Sequence, residues 1–115
     1  MKAYKSVIMF SFALCLMAPF TGFAKGDKVK EKFKVWGNCG MCNEKITKAA
    51  MSMDGVISAK WSSETKEMVV KFYSNQITLD DIQKKIASVG YDTENHKADD
   101  EVYENLHSCC KYDRN

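Results

Sequence analysis

The spacing of hydrophobic residues changes repeatedly along residues 28–90, and this change constrains the fold more than any other feature of the sequence. Apolar residues alternate with lysines over residues 28–36, which predicts a half-buried strand. Residues 42–52 carry apolar side chains at helical spacing, which predicts a helix. Alternation returns over residues 56–62 and 68–72, so two further strands are predicted there, joined as a hairpin.

A second helix is predicted over residues 79–89. Thr78 and Asp81 match a capping box at its start, and Gly90 fits a C-terminal cap. Residues 91–96 are predicted to form a fourth strand, chiefly because the preceding pattern leaves one edge of the sheet to fill.

The order strand, helix, strand, strand, helix, strand is typical of an α+β, ferredoxin-like βαββαβ sandwich. In that fold an antiparallel sheet carries two helices on one face. Residues 25–97 are assigned to this domain, and residues 98–115 to a C-terminal tail with a short helix over 98–105. The residues after Lys111 are expected to fray.

Residues 1–24 have the features of a secretory signal peptide. Lys2 and Lys5 precede an apolar run over residues 7–20, and small residues precede a cleavage site after Ala24. The run is shorter than the roughly 20 apolar residues that a membrane span needs. We therefore expect a periplasmic or secreted protein with no stable membrane association after cleavage.

Cleavage would leave equal numbers of basic and acidic residues, because it removes two lysines from a total of 17 basic and 15 acidic residues. This balance favours neither nucleic acid nor an anionic membrane as a partner. The remaining length suits one small domain with a modest core.

Cys39 and Cys42 form a Cys-x-x-Cys motif between the first strand and the first helix. Two thiolates at this spacing can bind one soft metal ion or form a redox pair. Because Cys42 opens the helix, unpaired backbone N–H groups and the helix dipole are expected to lower its pKa below the free value of about 8.5. Metal binding is the preferred interpretation, since the predicted mature chain lacks the proline that thioredoxin-type folds place against their cysteines.

The tail adds His107, Cys109 and Cys110 as further candidate ligands. If the tail docks on the sheet edge, its two thiols could complete a three- or four-sulfur site. Two plus two sulfurs would suit Zn(II) or a small copper cluster, whereas the loop pair alone suits two-coordinate Cu(I) or Hg(II). Met41 could also lend a thioether, although a side chain between two ligands more often faces solvent.

The pattern resembles the heavy-metal-associated domain, which occurs in copper chaperones, metal-exporting ATPases and periplasmic mercury-binding proteins. The resemblance covers about residues 30–96, and its specific parts are Cys39-Gly40-Met41-Cys42, Asp54-Gly55-Val56 and Gly90-Tyr91. It implies that Cys39 and Cys42 are the ligands and that Tyr91 packs near the metal. The chain departs from the family in having Trp36-Gly37-Asn38 before the first cysteine, where the family usually has a methionine that anchors the loop.

These features predict an exported protein that binds Cu(I), or next Hg(II), and hands it over or buffers it, without catalysis. The resemblance implies a membrane metal transporter or a metal-exporting ATPase as the partner. Two alternatives stay open: a dithiol–disulfide oxidoreductase of the cell envelope, and a structural zinc module that uses all four cysteines outside the signal peptide.

Overall fold

A computed structural model describes residues 26–114, so the predicted signal peptide lies outside the described residues. The elements in chain order are β1 (Lys28–Lys34), α1 (Gly40–Met51), β2 (Val56–Trp61), β3 (Glu67–Tyr73), α2 (Leu79–Ser88), the short α3 (Asp100–Glu104) and a 3₁₀ turn (Ser108–Cys110). Among the described residues, no helix is both long enough and apolar enough to cross a membrane.

The three strands form an antiparallel sheet with β3 in the centre, flanked by β1 and β2. Phe33 of β1 pairs with Met68 of β3, and both side chains are buried together with Val70 and Trp61. The predicted β2–β3 hairpin is confirmed, with a register shift between Val56 and Ser58. The lysines of β1 face solvent, as the alternation predicts.

Both helices close one face of the sheet. Ile46 and Ala50 of α1 and Ile82 and Ile86 of α2 are fully buried, and they share one hydrophobic core with the inward side chains of the strands. Their helical spacing places them on single faces, and burying those faces is what stabilises helices of this length.

The predicted capping box of α2 is present. The Thr78 side chain accepts a hydrogen bond from the Asp81 backbone N–H, and the Asp81 carboxylate accepts one from the Thr78 N–H. Gly90, just beyond the helix, has a φ of +113°, a conformation that glycine adopts readily.

The ferredoxin-like fold class is confirmed, but the predicted fourth strand over residues 91–96 is reduced to one bridge between Val35 and Thr93. The segment follows β1 only briefly, because Thr93 turns the chain back by donating its N–H to the His96 carbonyl at 2.7 Å. The adjacent carboxylate of Asp92 accepts hydrogen bonds from Arg114 and from the Ala98 N–H, which fixes the segment by its side chains.

The expectation that the residues after Lys111 fray is wrong. Tyr112 is 2% exposed, and its hydroxyl donates to the Gly90 carbonyl at 2.8 Å while accepting from the Asp92 N–H at 2.8 Å. The Arg114 guanidinium binds both oxygens of Asp92 and stacks over the Tyr103 ring. The tail is therefore part of the folded domain.

Candidate metal centre

The Cys-x-x-Cys motif lies where β1 passes into α1. Cys39 precedes the helix in an extended conformation and is half-buried, whereas Cys42 lies in the first turn and is fully buried. The Cys39 carbonyl accepts from the Asn43 N–H at 3.0 Å, so the first turn of the helix fixes the position of both cysteines.

The loop before Cys39 packs tightly against the core. A Cβ atom on Gly37 would lie 3.1 Å from Ile46 Cδ1 and 3.1 Å from the Trp61 ring, closer than ordinary contacts allow. Lys66 Nζ donates to the Gly37 carbonyl at 2.6 Å from the opposite hairpin. These contacts hold the loop in place without the methionine that the family usually has there.

The tail places two more sulfurs beside the motif. The Sγ atoms of Cys39 and Cys42 are 3.7 Å apart, and those of Cys39 and Cys109 are 3.5 Å apart. The Sγ atoms of Cys39, Cys42 and Cys110 all lie within 4.8 Å of one another, and Cys109 is not a member of this group. All four cysteines among the described residues are free thiols.

The four thiols differ in exposure. Cys42 and Cys110 are fully buried, Cys39 is intermediate and Cys109 is exposed. The structure thus brings together four of the predicted ligands, two inside the domain and two towards its surface.

Cys39 is more acidic than Cys42 and Cys109, because its pKa is lowered while theirs are raised. The Cys42 backbone N–H, followed by the Cys109 thiol, stabilises the thiolate and lowers the pKa of Cys39 to about 7. The pKa of Cys109 is raised, chiefly by its hydrogen bond with Cys39. A hydrogen bond from the Cys109 thiol to the Cys39 thiolate explains why the pKa of Cys39 is lowered and that of Cys109 is raised.

The expectation of a lowered pKa for Cys42 is wrong. Burial disfavours the charged thiolate and raises the pKa of Cys42, and this outweighs the hydrogen bonds that act in the other direction. The N-terminus of α1 therefore lowers the pKa of Cys39, which lies just before the helix, because the Cys39 sulfur stays near solvent.

The Tyr91 hydroxyl faces the sulfurs of Cys110 and Cys42. The Tyr91 side chain is fully buried. Its hydroxyl is the one buried polar side-chain atom among the described residues that has no hydrogen-bond partner. Burial raises its pKa strongly, followed by the effects of Cys110 and Cys42, the polar groups that face the hydroxyl.

The two remaining candidates, Met41 and His107, are exposed. Met41, between the two cysteines in sequence, is 43% exposed. His107 is exposed, and its contribution near the site is a backbone carbonyl that accepts from the Cys110 N–H at 2.8 Å.

Sequence reasoning missed the residues that hold the tail in place: Tyr112, Arg114 and their partner Asp92. Two signals in the sequence could have indicated them. Arg114 is the only arginine in the chain, and Tyr103 and Tyr112 bring large aromatic groups into an otherwise polar tail. Buried tyrosines and a planar guanidinium are typical anchors of a packed segment.

The family profile described as heavy-metal-associated domain matches residues 38–92. The chain is similar to the solved structure of apo-CopP from Helicobacter pylori, with 30% identity, 56% of this chain and 98% of that chain covered, and a TM-score of 0.51. It is also similar to oxidized MerP from Ralstonia metallidurans CH34, with 25% identity, 59% and 96% covered, and a TM-score of 0.57.

A structure described as CopZ metallochaperone matches with 27% identity, 56% of this chain and 98% of that chain covered, and a TM-score of 0.55. A copper-binding domain of a P-type ATPase is among the further matches. Comparison with curated proteins returns no match. The matched region ends before the tail that carries Cys109 and Cys110.

Proposed function

The chain belongs to the heavy-metal-associated domain family, and from that premise we propose that it carries or buffers a soft metal ion, Cu(I) first and Hg(II) next, on Cys39 and Cys42. The observation that carries this proposal is the pair of sulfurs 3.7 Å apart at the start of α1. Thiolates select soft ions, and both Cu(I) and Hg(II) accept two of them.

The pair is suited to exchange as well as to binding. Cys39 is near solvent with a pKa of about 7, so it is available as a thiolate at neutral pH, while Cys42 is shielded inside the domain. An incoming thiolate from a partner could bond to the ion before the bond to Cys39 breaks. The ion would then leave without ever being free in solution.

Relatives support a soft metal ion, and copper in particular, in this proposal. CopZ is described as a metallochaperone, and MerP and a copper-binding ATPase domain share the fold. We propose a membrane metal transporter or a metal-exporting ATPase as the partner that supplies the incoming thiolates. Transfer of Cu(I) to such a domain, detected on separating the two proteins after mixing, would test this step.

The test of the binding proposal is metal analysis of protein purified reduced and without oxygen. We expect one soft metal ion per chain in the wild type after loading with Cu(I), and loss of tight binding in the Cys39→Ser, Cys42→Ser double variant. Circular dichroism of both proteins controls for folding. Equal Cu(I) affinity of the two proteins would overturn the proposal.

The structural zinc alternative has less support. Leu106, Tyr112 and Arg114 hold the tail by apolar packing and hydrogen bonds that need no ion.

The oxidoreductase alternative predicts catalysed insulin reduction by the metal-free protein. Turnover above that of the double variant would favour it over a carrier.

Export is a further part of the proposal, and it rests on residues 1–24. An oxidising envelope would close exposed dithiols, so bound metal or a reductase would have to protect the pair. N-terminal sequencing of protein from the periplasmic fraction should show that the mature chain starts at Lys25. Retention of the full chain in the cytoplasm would contradict export.

A further inference from the structure

We propose that Cys110 supplies a third thiolate to the ion, so that the metal is held by Cys39, Cys42 and Cys110 in a three-coordinate site. This inference rests on the proposed function and extends it to a ligand outside the matched family region. The three Sγ atoms lie within 4.8 Å of one another although residue 110 is far from the motif in sequence.

The spacing of the Cys39–Cys42 pair suits a three-coordinate ion better than a linear one. With metal–sulfur bonds of about 2.3 Å, two sulfurs across a linear ion lie about 4.6 Å apart, and three around a planar ion lie about 4.0 Å apart. The Cys39–Cys42 distance is 3.7 Å. A linear ion would have to push this pair apart, whereas a trigonal ion needs only a small adjustment.

The tail holds Cys110 firmly from both sides. Before it, Leu106 packs onto Gly90, where an added Cβ would come within 2.9 Å of the leucine side chain. After it, Tyr112 bonds to Gly90 and Asp92, and its ring stacks on Tyr91 at a centroid distance of 5.9 Å. Cys110 is thus preorganised, so binding an ion requires little further loss of conformational entropy.

The Tyr91 hydroxyl independently indicates a ligand at this position. It is a fully buried polar group without a regular hydrogen-bond partner, and the polar groups that face it are the thiols of Cys42 and Cys110. An unpaired buried hydroxyl is costly. Metal binding would turn both thiols into thiolates. These would accept a hydrogen bond from the Tyr91 hydroxyl, which removes the cost of leaving it unpaired.

Cys109 provides a contrast within the same dipeptide. It is exposed, it lies 3.5 Å from the Cys39 sulfur, and it stands outside the group of three. Its thiol is therefore not counted among the ligands. Adjacent cysteines with opposite exposure give a matched pair of variants.

A third thiolate would shift the protein from delivery towards retention. Transfer of the ion to a partner must then replace three sulfurs, two of them buried. The site would hold Cu(I) or Hg(II) more tightly than a two-sulfur site and release it more slowly, which suits buffering or detoxification.

The test is X-ray absorption spectroscopy of residues 25–115, loaded with one equivalent of Cu(I) and, in a separate sample, with one equivalent of Hg(II). We expect about three sulfur neighbours in the wild type and in Cys109→Ser, and about two in Cys110→Ser and Cys110→Ala. Loss of a partner of a metal ligand typically costs 10–100-fold in affinity, so loss of Cys110 itself should cost at least about tenfold.

Two sulfurs in the wild type, or unchanged affinity in both Cys110 variants, would overturn the inference while leaving binding by Cys39 and Cys42 intact. Absence of any binding by the wild type would overturn the proposed function as well. The wild-type spectrum does not depend on a variant, so a folding defect in Cys110→Ser cannot obscure the outcome.

Discussion

At the scale of single residues, burial determines which thiol is reactive. Cys42 occupies the helical position that the sequence suggests for a thiolate, yet its sulfur is fully buried and its pKa is raised. Cys39 remains near solvent and receives the hydrogen bonds that lower its pKa. The sequence reveals the position of a cysteine in a helix, but its desolvation depends on the side chains that the fold packs around it.

We predict that iodoacetamide alkylates Cys39 first in reduced, metal-free protein. Its rate should rise with pH and reach half of its maximum near pH 7, because the thiolate is the nucleophile and the pKa of Cys39 is about 7. Peptide mapping by mass spectrometry after short reactions assigns the site. Faster alkylation of Cys42, or a midpoint near pH 9 for Cys39, would contradict this order.

The Tyr91 hydroxyl should affect the metal-free and the metal-bound protein in opposite directions. Tyr91→Phe removes a buried polar atom without a partner, so the free energy of unfolding of the metal-free protein should rise by about 1 kcal/mol. The metal-bound protein should lose affinity, because the thiolates lose a donor. Urea denaturation and Cu(I) competition measure the two effects, and destabilisation of the metal-free protein would contradict the first.

At the scale of elements, the C-terminal segment is as much a part of the domain as α1 or α2. Truncation after Asn105 would remove Leu106 and Tyr112, which belong to the hydrophobic core, together with Cys110. Such a truncation should loosen the domain even without metal. It therefore cannot by itself distinguish a structural zinc site from a carrier.

Neighbouring substitutions in the tail should differ sharply in stability. Tyr112→Phe removes two buried hydrogen bonds and leaves the Asp92 N–H without its partner, which should cost about 1–3 kcal/mol. Lys111→Ala removes a surface ion pair with Glu104 and should cost about 0–1 kcal/mol. Denaturant unfolding of the metal-free proteins checks this, and equal costs would show that the tail is not anchored as described.

The Asp92–Arg114 pair should make the free energy of unfolding depend on pH in the acidic range. Burial alone would raise the pKa of Asp92, but Arg114 and the Ala98 N–H lower it below its ordinary value. A carboxyl group whose pKa is lower in the folded state stabilises above its unfolded pKa of about 3.9 and loses that contribution as pH falls through the folded pKa.

We therefore expect the advantage of the wild type over Asp92→Asn to be full at pH 6 and to shrink below about pH 4. Unfolding curves of both metal-free proteins across this range measure the difference. A constant difference between the two proteins down to pH 2 would contradict the role of this pair.

At the scale of the whole molecule, hydrophobic periodicity was enough to predict the α+β fold, β1, the β2–β3 hairpin and both main helices. Two features escaped it because they depend on contacts between distant residues. The segment around Thr93 is held by side chains from the tail rather than by a strand ladder, and Tyr112 and Arg114 pair with groups about 20 positions away. The tail, which looks polar in the sequence, therefore packs against the domain beside the site.

The candidate site was predicted in its parts but not in its arrangement. Cys39 and Cys42 follow from their spacing, and Tyr91 from the resemblance to the family. The separation of Cys110 from Cys109 could not be predicted, because the 3₁₀ turn at Ser108–Cys110 buries one sulfur and exposes the other. Sequence neighbours therefore take different places relative to the sulfur group.

The most direct test of soft-metal binding at the motif is a Cu(I) competition titration under reducing conditions, with the wild type and the Cys39→Ser, Cys42→Ser variant side by side. We predict that the wild type takes one Cu(I) from a competing chelator and that the double variant takes little or none at the same chelator concentration. Equal uptake by the two proteins would show that Cys39 and Cys42 are not the metal-binding pair.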